Sequence, residues 1–178
     1  MKKYIGYYEE VVPNVLCRDI INYNFNFQPS TYANHKGKTE TSNERVCMDE
    51  VWIKSGNVYY NDIKAAFEYI IKKYSKEHEL FSAIHHTDFR VNKYSEGGFM
   101  SKHCDNIHHS HGQKYGFPQV SSLLFLNDNY EGGEFVVADE VYNTKKGSAL
   151  IFPSNFMFPH EVKPITKVIR WSIIAWIM

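Results

Sequence analysis

Three side chains of the types that hold a divalent metal fall in two short segments: His103-Cys104-Asp105, and His160, 55 residues beyond Asp105. Two imidazoles and one carboxylate can occupy one face of a six-coordinate metal and leave the opposite face open, a donor set that suits Fe(II). Read alone, His103 and Asp105 are also an ordinary polar pair on a loop. His160, in Phe158-Pro159-His160-Glu161, is also a surface histidine after a strand. Arg170 adds a second kind of group. It lies ten residues after His160 within an otherwise apolar run of Val168, Ile169, Trp171, Ile173, Ile174, Ala175 and Trp176. A guanidinium there is costly unless it is paired or solvated. Its partner is either an acidic side chain from elsewhere in the fold or an organic carboxylate, which the planar fork binds through two parallel charge-assisted hydrogen bonds. In an extended segment Cys104 points away from its two neighbours.

These residues need elements to bring them together. Pro13-Asn14 precedes Val15, Leu16, Ile20 and Ile21, which suits a short helix starting near Asn14. Asn61-Asp62 opens the clearest helix, with Ile63, Phe67, Ile70, Ile71 and Tyr74 in one apolar stripe and Lys64, Glu68, Lys72 and Lys73 opposite. Between the two helices, residues 28–45 are polar and read as a loop. Beyond about residue 80, short β-prone runs alternate with Gly, Asn and Asp turns. Strands are expected near 87–94, 120–126, 134–137, 149–152 and 168–176, with turns at 127–133 and 145–147. Helices first and many short strands afterwards predict an α+β fold whose second half is a jelly roll, a cupin-like double-stranded β-helix buttressed by the N-terminal helices. One domain is expected over 1–178, with 1–80 as helical support and substrate loop and 81–178 as the catalytic jelly roll.

Bulk properties exclude several classes. Apolar residues are 43% of the 178 and aromatics 16%, enough for a sizeable core. Twenty basic and twenty acidic residues cancel, which argues against a generic nucleic-acid binder. Cys17, Cys47 and Cys104 are odd in number and far apart, as in reduced intracellular thiols. No apolar run is long enough for a signal peptide or membrane span, so a soluble, cytoplasmic protein is expected. Oligomeric state is not encoded legibly.

The ordered pieces from Tyr94 onward resemble a known family. They are Tyr94-Ser95-Glu96-Gly97-Gly98-Phe99-Met100-Ser101-Lys102-His103-Cys104-Asp105, then Leu124-Phe125-Leu126-Asn127 with Tyr130-Glu131-Gly132-Gly133-Glu134, then Lys146-Gly147-Ser148-Ala149-Leu150-Ile151-Phe152, and His160 through Pro164 to Arg170 and Trp176. Over roughly residues 85–178 the chain resembles a 2-oxoglutarate/Fe(II)-dependent dioxygenase of the prolyl 4-hydroxylase type. The resemblance implies that His103, Asp105 and His160 ligate Fe(II), that Arg170 pairs with the C5 carboxylate of 2-oxoglutarate, and that the Tyr94 hydroxyl reaches the same cosubstrate. Phe125 departs from the family's Tyr-Leu-Asn segment, so one cosubstrate hydrogen bond is either missing or supplied by Ser121 or Ser122.

The implied reaction consumes O2 and 2-oxoglutarate, releases succinate and CO2, and hydroxylates a prolyl residue of a peptide or protein, with ascorbate as a reductant. Arg45 and Trp52 are candidate substrate contacts, against the plainer readings of a solvated charge and a core aromatic. Trp171 and Trp176 read as core, with Trp176 able to wall the pocket. His108, His109 and His111 form a cluster that could bind a second metal or stand at the mouth of the site. Gly132-Gly133 is a tight turn and not a phosphate loop. Two alternatives stand beside this reading. One is a hydroxylase of another substrate, since Tyr130-Glu131-Gly132-Gly133-Glu134 also resembles bacterial PKHD-type hydroxylases. The other is a non-catalytic binding module on the same barrel.

Overall fold

The alternating β-prone runs fold into two facing antiparallel sheets, and two α-helices cover the outer side of the larger one. The computed structural model describes residues 1–33, 39–40, 44–106 and 116–178. The helices are α1 (Asn14–Asn22) and α2 (Tyr60–Glu77). The strands are β1 (Gly6–Tyr8), β2 (Gln28–Pro29), β3 (Tyr32–Ala33), β4 (Thr39–Glu40), β5 (Val46–Cys47), β6 (Asp49–Ile53), β7 (Phe89–Tyr94), β8 (Phe99–His103), β9 (Val120–Phe125), β10 (Glu131–Gly132), β11 (Phe135–Val137), β12 (Glu140–Tyr142), β13 (Ala149–Pro153), β14 (His160–Val162), β15 (Ile165–Lys167) and β16 (Arg170–Ile177). The major sheet runs β1-β13-β9-β16-β7-β6-β2 and the minor sheet β12-β11-β14-β8-β5. The chain passes from the minor sheet to the major between β8 and β9, and back between β13 and β14. The result is an α+β fold with a double-stranded β-helix core.

β16 shows how the sequence sets the layers. All eight of its residues are buried, because it is central and covered on both faces. Trp171, Ile173, Ala175 and Ile177 join the cluster under the helices, where α2 contributes Ile63, Ala66, Phe67, Ile70 and Tyr74. Phe67 stacks on Phe89 of β7 with ring centroids 5.2 Å apart. The alternate residues Ile174 and Trp176 join the inter-sheet cluster with Tyr94, Leu123, Phe125, Phe135 and Phe152. Period-two alternation thus assigns every second residue of the major sheet to the space between the sheets.

Several expectations change. Both helices form where expected, but Ala66 takes a buried place in the α2 stripe while Ile71 lies at its flank. Residues 28–45 are not all loop: β2 pairs with β6 and β3 with β4, and just beyond them β5 pairs with β8. The N-terminal part is therefore more than helical support, since it supplies three strands of the major sheet and one of the minor. These strands are two to five residues long and lack a periodic stretch, so the sequence pattern does not announce them. The last strand begins at Arg170, because Val168 adopts a positive φ of 61° that breaks the extended run. No helix among the described residues is long and apolar enough to cross a membrane.

The Gly132-Gly133 turn is tight in a specific way. Both residues have positive φ, 71° and 66°. A Cβ at Gly133 would overlap Cδ1 of Ile165 and come within 3.1 Å of Cδ of Arg170. Gly133→Ala is expected to destabilise the fold by about 1–3 kcal/mol through strain and displacement of these side chains. Thermal unfolding checks this, and an unchanged Tm would show that the turn relaxes freely.

Candidate metal centre

The two metal-binding-type histidines meet because β14 pairs antiparallel with β8 in the register that sets His160 opposite His103. Their ring centroids are 4.3 Å apart. β8 ends at His103, and the chain then bends, so Asp105 is not placed by strand alternation. Asn106 fixes the bend, its backbone N–H donating to the Ser154 carbonyl at 3.0 Å and its Nδ2 to the Pro118 carbonyl at 2.8 Å. Oδ1 of Asp105 then lies 3.4 Å from Nε2 of His103, and Oδ2 3.3 Å from Nε2 of His160. One ligand atom from each residue falls within 4.8 Å of the others. Cys104 does not point away as expected. It is half-buried and lines the same cavity, because the bend replaces the strand there.

The hydrogen bonds around the cluster favour a cation. Nδ1 of His103 is 2.7 Å from the Ser101 carbonyl, and Nδ1 of His160 is 3.3 Å from the Phe158 carbonyl. A carbonyl only accepts, so each Nδ1 carries the proton and each Nε2 turns a lone pair toward the carboxylate. Lone pairs facing a carboxylate in a buried site require a positive charge between them, either a proton or a metal ion. Burial pushes the Asp105 carboxyl up, but His160 and His103 outweigh it and hold it well below the usual carboxylate range. Ser121 Oγ donates to Oδ2 of Asp105 at 2.5 Å and lies 2.9 Å from Ser154 Oγ. Both serines are fully buried, so the carboxylate is held from behind. Two imidazoles and a carboxylate held in this way fit Fe(II) with open coordination positions.

Behind the cluster lies a cavity of about 270 Å³, lined by residues of both sheets including Tyr94, Leu123, Phe135, Val162, Ile174 and Trp176. Tyr94 is opposite Arg170 in the β7–β16 pair. Arg170 is one layer deeper than the lining and fully buried. Its Cζ sits 5.3, 5.4 and 5.7 Å from the ring centroids of Tyr94, Phe125 and Tyr130. Nη1 reaches Ser172 Oγ at 3.3 Å, whereas Nε and Nη2 have no hydrogen-bond partner among the described residues. Among the described residues no carboxylate pairs with it, which leaves the organic acid as the fitting partner. Burial raises the Tyr94 phenol against the lowering effect of Arg170 and Arg90, so it remains a protonated donor.

The other candidates separate. Trp176 walls the cavity, while Trp171 packs toward the helices. Arg45 is exposed and lines the cavity. Trp52 is partly buried, its ring centroid 6.1 Å from that of Trp176 and its Nε1 donating to Glu50 at 3.2 Å. Ser121 does not replace the hydroxyl that Phe125 lacks, because it is committed to Asp105. Ser122 faces away from the cavity, on the helix side of β9. His108, His109 and His111 lie outside the described residues. Sequence reasoning named Ser121 only as a candidate cosubstrate donor and passed over Ser154, and also the linked polar group Arg90, Asn92 and Glu50, of which Arg90 and Asn92 line the cavity. A signal for Arg90 existed: like Arg170, it is a guanidinium set between apolar neighbours, here Phe89 and Val91, in a β-prone run.

Comparison with known proteins agrees with this geometry. Residues 89–178, half of the chain, match the family model of the 2OG-Fe(II) oxygenase superfamily. A PKHD-type hydroxylase of Cupriavidus metallidurans is 37% identical over 95 residues, 48% of this chain and 40% of that protein. The matched region thus spans less than half the length of this curated relative. Two solved structures share the fold. A prolyl hydroxylase from Trichoplax adhaerens, in complex with a peptide fragment of the hypoxia inducible factor oxygen degradation domain, superposes with a TM-score of 0.78 at 18% identity, covering 99% of this chain and 84% of that one. A Pseudomonas putida prolyl-4-hydroxylase gives 0.70 at 20%, covering 98% and 91%.

Two outcomes follow from the site. Arg170→Met removes two unsatisfied donors, each costing about 1–3 kcal/mol. It is expected to hold or raise Tm in the absence of cosubstrate and to abolish the rise that 2-oxoglutarate with Mn(II) gives the wild type. A fall in Tm would mark the guanidinium as a structural group. Asp105→Ala is expected to weaken Mn(II) binding by at least about 100-fold, and Ser121→Ala by roughly tenfold through loss of carboxylate orientation. Calorimetric titration with Mn(II) measures both, and equal affinities in wild type and Asp105→Ala would remove Asp105 from the metal set.

Proposed function

The chain belongs to the 2OG-Fe(II) oxygenase superfamily, and from that premise we propose that it is a 2-oxoglutarate-dependent dioxygenase that hydroxylates a prolyl residue of a peptide or protein. The observation that carries the proposal is the pairing of two unfilled demands in one barrel: a His103–Asp105–His160 cluster that needs a cation, and a buried Arg170 that needs an anion. Fe(II), when bound, supplies open coordination positions for the 2-oxo acid and O2 and the oxidising power to hydroxylate a C–H bond as succinate and CO2 leave.

The protein's own residues supply position. His103, Asp105 and His160 hold the metal, and Ser121 with Ser154 keeps the Asp105 carboxylate aimed at it. Arg170 and Tyr94 take the distal carboxylate of 2-oxoglutarate, the first through a charge-assisted fork and the second as a neutral phenol donor. Leu123, Phe135, Val162 and Ile174 exclude water from the space between. Ascorbate serves as an external reductant in this reading, and three free thiols suit a cytoplasmic setting. A peptide substrate is supported by the cavity's opening beside Arg45 and by the peptide bound in the Trichoplax relative.

A hydroxylase of a different, non-prolyl substrate is the second reading, favoured by the identity to a PKHD-type hydroxylase over the catalytic half. The deciding experiment incubates the protein with Fe(II), 2-oxoglutarate and a library of proline-containing peptides. The expected result is substrate-stimulated succinate release and a gain of one oxygen mass on a proline, both lost in Asp105→Ala. Stimulation by non-peptide compounds alone would sink the prolyl assignment. Absence of 2-oxoglutarate turnover with every substrate would favour a binding module instead.

A further inference from the structure

The cavity wall carries a buried ion pair that neither the metal centre nor the cosubstrate anchor uses. β6 and β7 pair so that Trp52 lies opposite Arg90 and Glu50 opposite Asn92. Glu50 accepts from Ser30 Oγ at 2.6 Å and Trp52 Nε1 at 3.2 Å, and its Oε2 forms an ion pair with Arg90 Nη1 at 3.2 Å. Arg90 Nε donates to Asn92 Oδ1 at 2.9 Å. The guanidinium is flanked by aromatic rings, its Cζ 4.9 Å from the Trp176 centroid and 6.0 Å from that of Trp52. Arg90 is 5% exposed, and both it and Asn92 line the cavity.

The register fixes which end of the cavity this is. Arg90 and Tyr94 are four residues apart on β7, so the Arg90 and Arg170 levels differ by about 13 Å along the strand. Arg90 shares its end with Trp176, whose backbone partner on β9 is Ser121, the residue that holds Asp105. The Arg90 guanidinium therefore stands at the metal end, where the substrate must present its reactive carbon.

We propose that Arg90 is a specificity residue. Held by Glu50 and Asn92, it donates through Nη2 to a neutral carbonyl oxygen of the substrate, so that the cavity selects an amide-linked, peptidyl group over a free carboxylic acid. Two considerations carry this. First, Nε and Nη1 are used by neighbours, while Nη2 has no hydrogen bond among the described residues, and the side chain lines the cavity. Second, the charges already balance. Glu50 neutralises Arg90; a divalent metal, Asp105, a dianionic 2-oxo acid and Arg170 neutralise one another. An anionic substrate would bring an uncompensated charge into an apolar cavity, whereas an amide carbonyl brings none. A purely structural role accounts for the pair less well, since β6 and β7 are already joined by their backbone ladder. A buried ion pair is commonly no more stabilising than apolar side chains of the same volume.

This inference deepens the oxygenase reading and rests on it. The test uses a pool of proline-containing tetrapeptides, acetylated and amidated at their ends, with the anion N-acetyl-L-proline as the comparison. Binding to protein loaded with Mn(II) and 2-oxoglutarate is measured by calorimetry, and turnover with Fe(II) in parallel. Wild type is expected to bind the blocked pool at least tenfold more tightly than N-acetyl-L-proline. The Arg90→Met/Glu50→Leu double variant strands no buried charge, and is expected to raise the peptide KM and Kd roughly tenfold with a much smaller change in kcat. Arg90→Lys is expected to fall between, since it keeps the charge and loses the fork. Equal peptide affinity in wild type and the double variant, or a preference for N-acetyl-L-proline, overturns the proposal. Absence of succinate release by wild type, with peptide binding still lost in the double variant, would instead overturn the oxygenase reading and leave the recognition role of Arg90 standing.

Discussion

The backbone register between β8 and β14 is the constraint on which the site depends. It places His160 opposite His103, and only then can a carboxylate on the following bend touch both imidazoles. A slip of one residue would turn one histidine to the other face of the minor sheet. The register is held by more than the ladder. Each Nδ1 is tied to a carbonyl two residues earlier in its own chain, which fixes both tautomers and both ring planes. Asn106 locks the bend from the other side by bridging to Ser154 and Pro118. The cluster is thus assembled by the fold itself, and its cost, lone pairs converging on a carboxylate, is relieved by whatever cation enters.

Arg170 is the counterpart of that arrangement at the other end of the barrel. Both sites hold charge that the fold leaves uncompensated, negative at Asp105 and positive at Arg170. Between them lies a cavity walled by Leu123, Phe135, Val162 and Ile174. Low local dielectric makes each demand strong. A molecule that satisfies both must be an anion at one end and a metal ligand at the other, which describes a dicarboxylic 2-oxo acid. β16 makes this possible by serving two layers at once. Its odd-numbered residues secure the sheet to the helices, which frees the alternate ones to carry Arg170, Ser172 and Trp176 inward without loss of core.

Much of this was legible in the sequence, and the reasons differ by residue. The α2 stripe and the apolar strands could be read because burial imposes a period, 3.6 on a helix and two on a strand. Arg170 stood out because a guanidinium violates that pattern. The His103, Asp105 and His160 set was visible by donor type, but its convergence is a property of strand register, which spacing alone does not encode. The short strands β2 to β4 fall in a segment that reads as loop, since a two-residue strand carries no period. The part that Ser121 and Ser154 play behind Asp105 was hidden for another reason. A serine in an apolar strand is isosteric with ordinary small core residues, and its role emerges only when Asp105 is seen 2.5 Å away.

Arg90 marks where pattern reasoning should have gone further. The run Phe89-Arg90-Val91-Asn92 alternates before Lys93 and Tyr94 break the period, and alternation is commonly read as one buried face and one wet face. Here both faces are covered: Phe89 and Val91 pack under the helices, while Arg90, Asn92 and Tyr94 turn into the space between the sheets. A polar face on a doubly covered strand cannot be solvated by bulk water, so its groups must be satisfied by one another or by a ligand. Glu50 and Asn92 answer that demand in part. The remaining donor capacity of the guanidinium points to the occupant of the cavity, and a strand of this kind, polar inside a closed barrel, is itself a sign of a binding site.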